Sequence, residues 1–341
     1  MRHGTHHPAR TPTLVAMHLL DITTGEPFTA AMARAGGITQ HQLDHLSSTG
    51  QVTQPFHGVY VATATPDSTG LRARAAALVL PAHAVVCDLS AASLHGIDLF
   101  SLAELDRVPD LDSVSIEHHT SSRRQGVFGG KRTLLPDEVM DLEGVRVTTP
   151  IRTACDIARL LGRLRAIAAL DAFRRSYAIT EADLRAMLPR FARQRGVVQL
   201  RELVPLSTDL ADSQPESWVR LLIHDEGLPM PAPQVSVLLD EWGWVRMENA
   251  YEHLRIAIEY DGAEFHTTAG HREHDELRRA ALDRAGWTVL VLRKEDLSAQ
   301  ARSTWLRRLA REIQAREANP RIKRRYSRGA DRASYRRRWR G

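Results

Sequence analysis

Glu248, Glu259, Asp261 and His266 lie close together in a stretch that otherwise alternates apolar and polar residues. Alternation at period two predicts strands over 244–251 and 254–260, and a two-residue turn at Glu252-His253 joins them as a hairpin. In that register Glu248 lies opposite Ala257 and Arg246 opposite Glu259. Ile256, Ile258 and Tyr260 then share one face with Met247 and Tyr251. Glu248, Glu259 and Asp261 share the other with the small residues Ala250 and Ala257. The two glutamates become diagonal neighbours roughly 7–8 Å apart, within reach of a common cation. Mg²⁺ is commonly held by one or two carboxylates, with water and substrate phosphate completing the shell. So held, Mg²⁺ or Mn²⁺ would polarise a phosphodiester and acidify the attacking water, with His266 placed to exchange a proton. Each residue also has a purely structural alternative. Glu259 can pair with Arg246, Asp261-Gly262 is a common turn dipeptide, and Glu216 can complete a capping box begun by Ser213.

A second group points to nucleic acid. Thr39-Gln-His-Gln42 has capping-box spacing before Leu43 and Leu46, which predicts a helix from Thr39, preceded by a helical pattern over 28–35 and a Gly36-Gly37 break. Leu43, Leu46 and Ile38 face inward. Gln40, His41, Asp44 and His45 face outward, where a recognition helix meets the major groove. Gly50 ends the helix, and strand-type residues over 51–62, broken by Pro55 and Gly58, supply a wing. Thr39, Gln40, His41 and His45 are the candidate DNA contacts of a winged helix-turn-helix. Asp44 opposes phosphate and favours the alternative, a solvated polar face.

The net charge of +5 is unevenly spread: residues 321–340 carry ten Lys or Arg against one acid, Asp331. The rest of the chain is therefore acidic, and the basic character belongs to a terminal extension. Within it Arg337 and Arg338, beside Trp339, are candidate phosphate contacts with an aromatic for stacking. Adjacent His118 and His119 on a strand point to opposite faces and so do not share an ion. Arg123, Arg124, Lys131 and Arg132 read as a solvated loop around Gly126–Gly130.

With 43% apolar and 26% charged residues, 341 residues suffice for two or three domains, each with its own core, which excludes disordered and collagen-like classes. No apolar run approaches the twenty residues of a membrane span, and the leader lacks a cleavage signal. Only two cysteines are present, which suits a reducing, cytoplasmic setting. The predicted organisation is a leader over 1–24, the winged helix-turn-helix over 25–65 and an α/β middle domain over 66–203. A polar linker over 204–212, an α/β domain with mixed sheet over 213–315 and a basic tail over 316–341 follow. In the last domain the order reads helix, three strands, helix, strand, with Trp218, Leu221 and Leu222 on the inner face of the first helix.

The stretch from Arg246 to Gly262, then His266, Asp275, Arg278 and Gly286-Trp-Thr-Val-Leu-Val-Leu-Arg293, resembles the very-short-patch-repair-like endonucleases of the PD-(D/E)XK superfamily. The resemblance implies a restriction-endonuclease-like fold and Mg²⁺-dependent DNA hydrolysis. Glu248, Glu259 and Asp261 would bear the metal and Glu216 would come from a preceding helix. Glu248 stands where the pattern usually has Asp, and Asp261 occupies the spacing of the superfamily Lys. Phe56-His-Gly-Val-Tyr-Val61, Ser90-Ala-Ala-Ser-Leu-His-Gly96 and Thr149-Pro-Ile-Arg-Thr-Ala-Cys-Asp156 resemble the AbiEi-type antitoxins. That resemblance implies an operator-binding winged helix, an antitoxin domain and a cognate toxin. Two functions follow: a metal-dependent DNA endonuclease, or a non-catalytic antitoxin and transcriptional regulator retaining a degenerate nuclease fold.

Overall fold

The computed structural model describes residues 25–100, 108–116, 119–120, 122–240, 242–262 and 269–318. Among the described residues the chain is a mixed α/β protein with three sheets. Its contacts divide it into two units, Met1–Ile157 and Ala158–Gly341. No helix among the described residues is long and apolar enough to cross a membrane.

The first unit opens with β1 (Phe28–Thr29), α1 (Ala30–Ala35), α2 (Gln40–Ser48), β2 (Val52–Phe56) and β3 (Val59–Ala62). Phe28 and Thr29, expected to be helical, instead pair antiparallel with Tyr60 and Val59. The Thr29 hydroxyl explains the break, since it caps α1 by accepting from the Met32 N–H at 3.2 Å. At Thr39 the capping box forms reciprocally with Gln42, and Gly50 stops the helix end at φ +69°. Phe28, Ala33, Ile38, Leu43, Val52 and Tyr60 make a small core, with Leu46 packed against it.

The rest of this unit is a five-stranded mixed sheet of β4 (Ala84–Val86), β5 (Leu111–Ser115), β6 (Val127–Lys131), β7 (Val139–Leu142) and β8 (Val145–Thr148), ordered β6-β5-β4-β8-β7. Helices α3 (Thr69–Ala77) and α4 (Asp88–Leu94) share a core with Leu111, Val145, Val147 and the hairpin residues Phe56 and Val59. The basic segment expected to be a loop is largely strand β6, paired parallel with β5 through Gly129 and Gly130. β6 is the edge strand of the sheet, and its place there is set by pairing with β5, which local sequence does not show. Helix α5 (Pro150–Leu160) crosses the boundary between the units.

The second unit begins with α6 (Arg163–Tyr177), α7 (Glu181–Met187) and α8 (Val197–Leu203). Residues 204–212 then pack locally: Val204 and Ala211 are buried and the Asp171 carboxylate accepts from the Thr208 N–H at 2.7 Å. Next come α9 (Gln214–Asp225) and a sheet of β9 (Ala232–Leu239), β10 (Gly243–Tyr251), β11 (Ile256–Tyr260) and β12 (Thr288–Leu292), ordered β12-β11-β10-β9. β12 runs parallel to β11 and the other neighbours are antiparallel. Helix α10 (Ala269–Arg284) links β11 to β12, and α11 (Ala299–Ala318), which the sequence reading left out, follows. Trp305, Leu306, Leu309 and Ile313 of α11 fill one core with Ile256 and Ile258. Val219, Leu222 and Ile223 are the α9 residues in that core, whereas Trp218 and Leu221 were expected there beside Leu222.

Candidate functional site

The β10–β11 connection is a helical turn at Glu252–Leu254 with Arg255 left-handed at φ +54°, not a two-residue hairpin. The longer turn moves the register by two residues, so Asn249 pairs with Ile258, Ala250 with Ala257 and Tyr251 with Ile256. Continued by one step, this register sets Glu248 directly across from Glu259 instead of Ala257. A shift of two preserves parity, so the expected shared face survives the wrong register. Met247 is a further correction: it joins the cluster of Ala250, Ala257, Leu282 and Trp287, away from Ile256 and Ile258. On the neighbouring strand, Gln234 adopts φ +51° between Pro233 and Val235, which pair with Asn249 and Met247.

Glu216, Glu248, Glu259 and Asp261 line one polar cleft of about 360 Å³, which Asp212, Asp275 and Arg278 also border. Each carboxylate has a different state. Glu248 accepts from the Tyr260 N–H at 2.7 Å, and burial, with Glu216 and Glu259 nearby, pushes its carboxyl up to about 7. Glu259 is clasped by Arg278, which donates from Nη1 to Oε2 at 3.0 Å and from Nη2 to Oε1 at 2.5 Å. The expected partner Arg246 binds Asp212 at 2.7 Å instead, because Glu259 faces α10. Glu216, buried on α9, accepts from Ser213 Oγ at 2.9 Å, the Asp212 N–H at 3.0 Å and Gln234 Nε2 at 2.6 Å. Asp261 donates its N–H to the Leu292 carbonyl at 2.7 Å, extending the β11–β12 pairing. Its carboxylate lies 3.6 Å from Arg293 Nη2. His266 lies outside the described residues.

The donor set can be compared with what Mg²⁺ requires. Both oxygens of Glu259 and both of Glu216 are already hydrogen-bonded within the protein. Among the described residues no group of three or more His, Cys, Asp or Glu side chains is arranged to hold a metal ion. As they stand Glu216 and Glu259 have no unbonded oxygen to offer Mg²⁺. Local spacing could not reveal why, since Asp212, Gln234 and Arg278 reach the cleft from separate elements. Arg278 was visible in the sequence only as a residue of the nuclease-like pattern.

In the first unit, α2 leaves Gln40, His41, Asp44 and His45 exposed while Leu43 is buried, as its periodicity requires. Gln40 Nε2 donates to Asp44 at 2.9 Å, which ties up part of the unfavourable carboxylate. Thr39 is engaged in the cap, with its hydroxyl donating to Gln42 Oε1 at 2.9 Å. At the β2–β3 turn, a Cβ added to Gly126 would fall 2.3 Å from the His57 Cβ, so the 122–126 loop lies directly against the hairpin tip. Arg123 and Arg124 are exposed on that loop. Arg337 and Arg338 lie outside the described residues, as does His118; His119 stacks on His83 with ring centroids 4.1 Å apart.

The Thr149–Asp156 motif has a structural role in the same unit. Arg152, fully buried, lies 2.7 Å from Asp156 and 2.6 Å from Glu138, and Arg132 bridges Asp156 to Asp88 at 2.9 Å each. This chain of alternating charges fastens α5 to the start of α4 and to the segment that joins β6 to β7. Burying such charges is tolerable only because each is paired. The neighbouring Asp112 carboxyl is pushed up to about 6 by burial and by Asp88.

A family model for the AbiEi antitoxin C-terminal domain matches residues 84–206, which contain both this network and the Ser90–Gly96 motif. Uncharacterized proteins from two Mycobacterium tuberculosis strains, CDC 1551 / Oshkosh and H37Rv, are each 30% identical over 266 residues. Those alignments cover 76% of this chain and 92% of each relative. The chain belongs to the family of these mycobacterial proteins and carries an AbiEi antitoxin C-terminal domain over residues 84–206.

Proposed function

We propose that this protein is a DNA-binding regulator of the toxin–antitoxin type that acts in the cytoplasm. Residues 25–65 serve as a winged helix-turn-helix: α2 enters the major groove with Gln40, His41 and His45, and the β2–β3 hairpin is the wing. Residues 66–203 form the antitoxin-like domain, and a cognate toxin is the expected protein partner. The C-terminal fold, restriction-endonuclease-like in its strand–helix–strand order, is retained as a non-catalytic platform. The basic tail, with Arg337 and Arg338, adds sequence-independent affinity for phosphate.

The observation that carries this reading is the pairing of an AbiEi antitoxin C-terminal domain with a preceding helix-turn-helix and hairpin whose second helix exposes its polar face. The arrangement of Glu259, clasped by Arg278, favours regulation over hydrolysis. Anisotropy of labelled DNA from upstream of the protein's own gene tests it in metal-free buffer. Wild type should bind, and a Gln40→Ala/His41→Ala variant should lose sequence preference while keeping weak, salt-sensitive affinity. Equal binding by both proteins would remove α2 from the reading.

A further inference from the structure

We propose that Arg278 is the resident cation of the carboxylate cleft: its guanidinium occupies the coordinating face of Glu259, and the cleft is closed to Mg²⁺ while Arg278 is present. Three hydrogen bonds fix the side chain. Two go to the Glu259 oxygens, and Nη2 also donates to the Arg246 carbonyl at 3.1 Å, tying α10 to both β10 and β11. One turn further along α10, Ala281 and Leu282 are buried in the core with Ala250 and Ala257. The helix that carries Arg278 is thus anchored on the sheet itself.

The chemistry makes this an effective substitution. A guanidinium matches a carboxylate in a two-bond fork and stays charged at every accessible pH, so base does not release it. Mg²⁺ sheds water reluctantly and demands near-octahedral oxygen geometry, so it competes poorly for a carboxylate already doubly bonded. Glu216 offers no substitute, because its oxygens are occupied by Asp212, Ser213 and Gln234. The cleft therefore carries its neutralising charge within the chain.

The inference rests on the non-catalytic reading of the C-terminal fold, and Mn²⁺ binding by the full-length protein tests it. Free Mn²⁺ is read by electron paramagnetic resonance for wild type, Arg278→Met, Glu259→Gln and the double variant. Wild type should bind no ion that Glu259→Gln removes. Arg278→Met should gain one ion per chain, bound at least roughly tenfold more tightly than by wild type, and the double variant should lose it. A wild-type ion abolished by Glu259→Gln overturns the proposal, as does a folded Arg278→Met that takes no Mn²⁺. The wild-type comparison stands even if Arg278→Met fails to fold. Loss of metal-free DNA binding would defeat the regulator reading while leaving this result in place.

Discussion

Arg152 carries a full charge at a site with no access to water, and its worth lies in what its loss would leave behind. Arg152→Met would remove the cation shared by buried Glu138 and Asp156, leaving Asp156 with Arg132, so it should cost about 3–5 kcal/mol, read as a lowered urea midpoint. Asp112 presents the reverse case. Its folded-state carboxyl titrates near 6 against an ordinary 3.8, so between those values the folded state holds a proton that the unfolded state has lost. Stability must fall as pH rises through that window. Asp112→Asn should therefore stabilise the protein by about 1–2 kcal/mol at pH 7, with the gain vanishing below pH ~4. Urea titrations at the two pH values check this; a constant difference would mean the carboxyl is unperturbed. At this scale the sequence reveals composition better than pairing. Glu248 and Glu259 were legible as sharing one sheet face because strand parity is local, but as diagonal neighbours and not as a directly facing pair. Arg278 as the partner of Glu259 was not, because that contact depends on how α10 lies across the sheet.

Helix starts were legible at some local caps and missed at Thr29, whose cap opens α1 inside a stretch expected to be helical. Thr39 and Ser213 each sit at the N-cap position of a described helix. Thr39→Ala should lower stability by about 1 kcal/mol, measured by thermal melting, and weaken DNA binding in the same variant by loosening the first turn of α2. An unchanged melting temperature would show that the capping box contributes nothing. Strand positions were harder. Phe28-Thr29 is too short to show alternation, and it is a strand only because Tyr60 and Val59 pair with it. The hairpin register failed for the same kind of reason, since the Glu252–Leu254 turn is fixed by Leu254 entering the core, not by its own sequence. Gly126 gives an element-scale test: at φ +75° and facing His57, Gly126→Ala is strained and must displace the hairpin tip. It should reduce stability by more than about 1 kcal/mol. A variant as stable as wild type would mean that the loop and the tip are not packed together.

For the whole molecule, charge asymmetry and the two structural units suggest a division of labour. The acidic body carries α2 and the carboxylate cleft, while the positive charge is concentrated after residue 320. Deleting residues 321–341 should flatten the dependence of DNA affinity on salt, because fewer counterions are released on binding. An unchanged slope would show that the tail does not touch phosphate. Composition and motif made the α/β class and the antitoxin-like segment readable from sequence, since both rest on patterns that survive without knowing the packing. The chemical state of the cleft was not readable, because it depends on contacts among α9, α10 and three strands. The most direct measurement incubates the full-length protein with supercoiled plasmid carrying its own upstream region in Mg²⁺, then resolves the mixture on a native gel. The account predicts retarded, covalently intact DNA, with the same result for Glu259→Ala. Nicked or linear DNA that disappears with Glu259→Ala would contradict it.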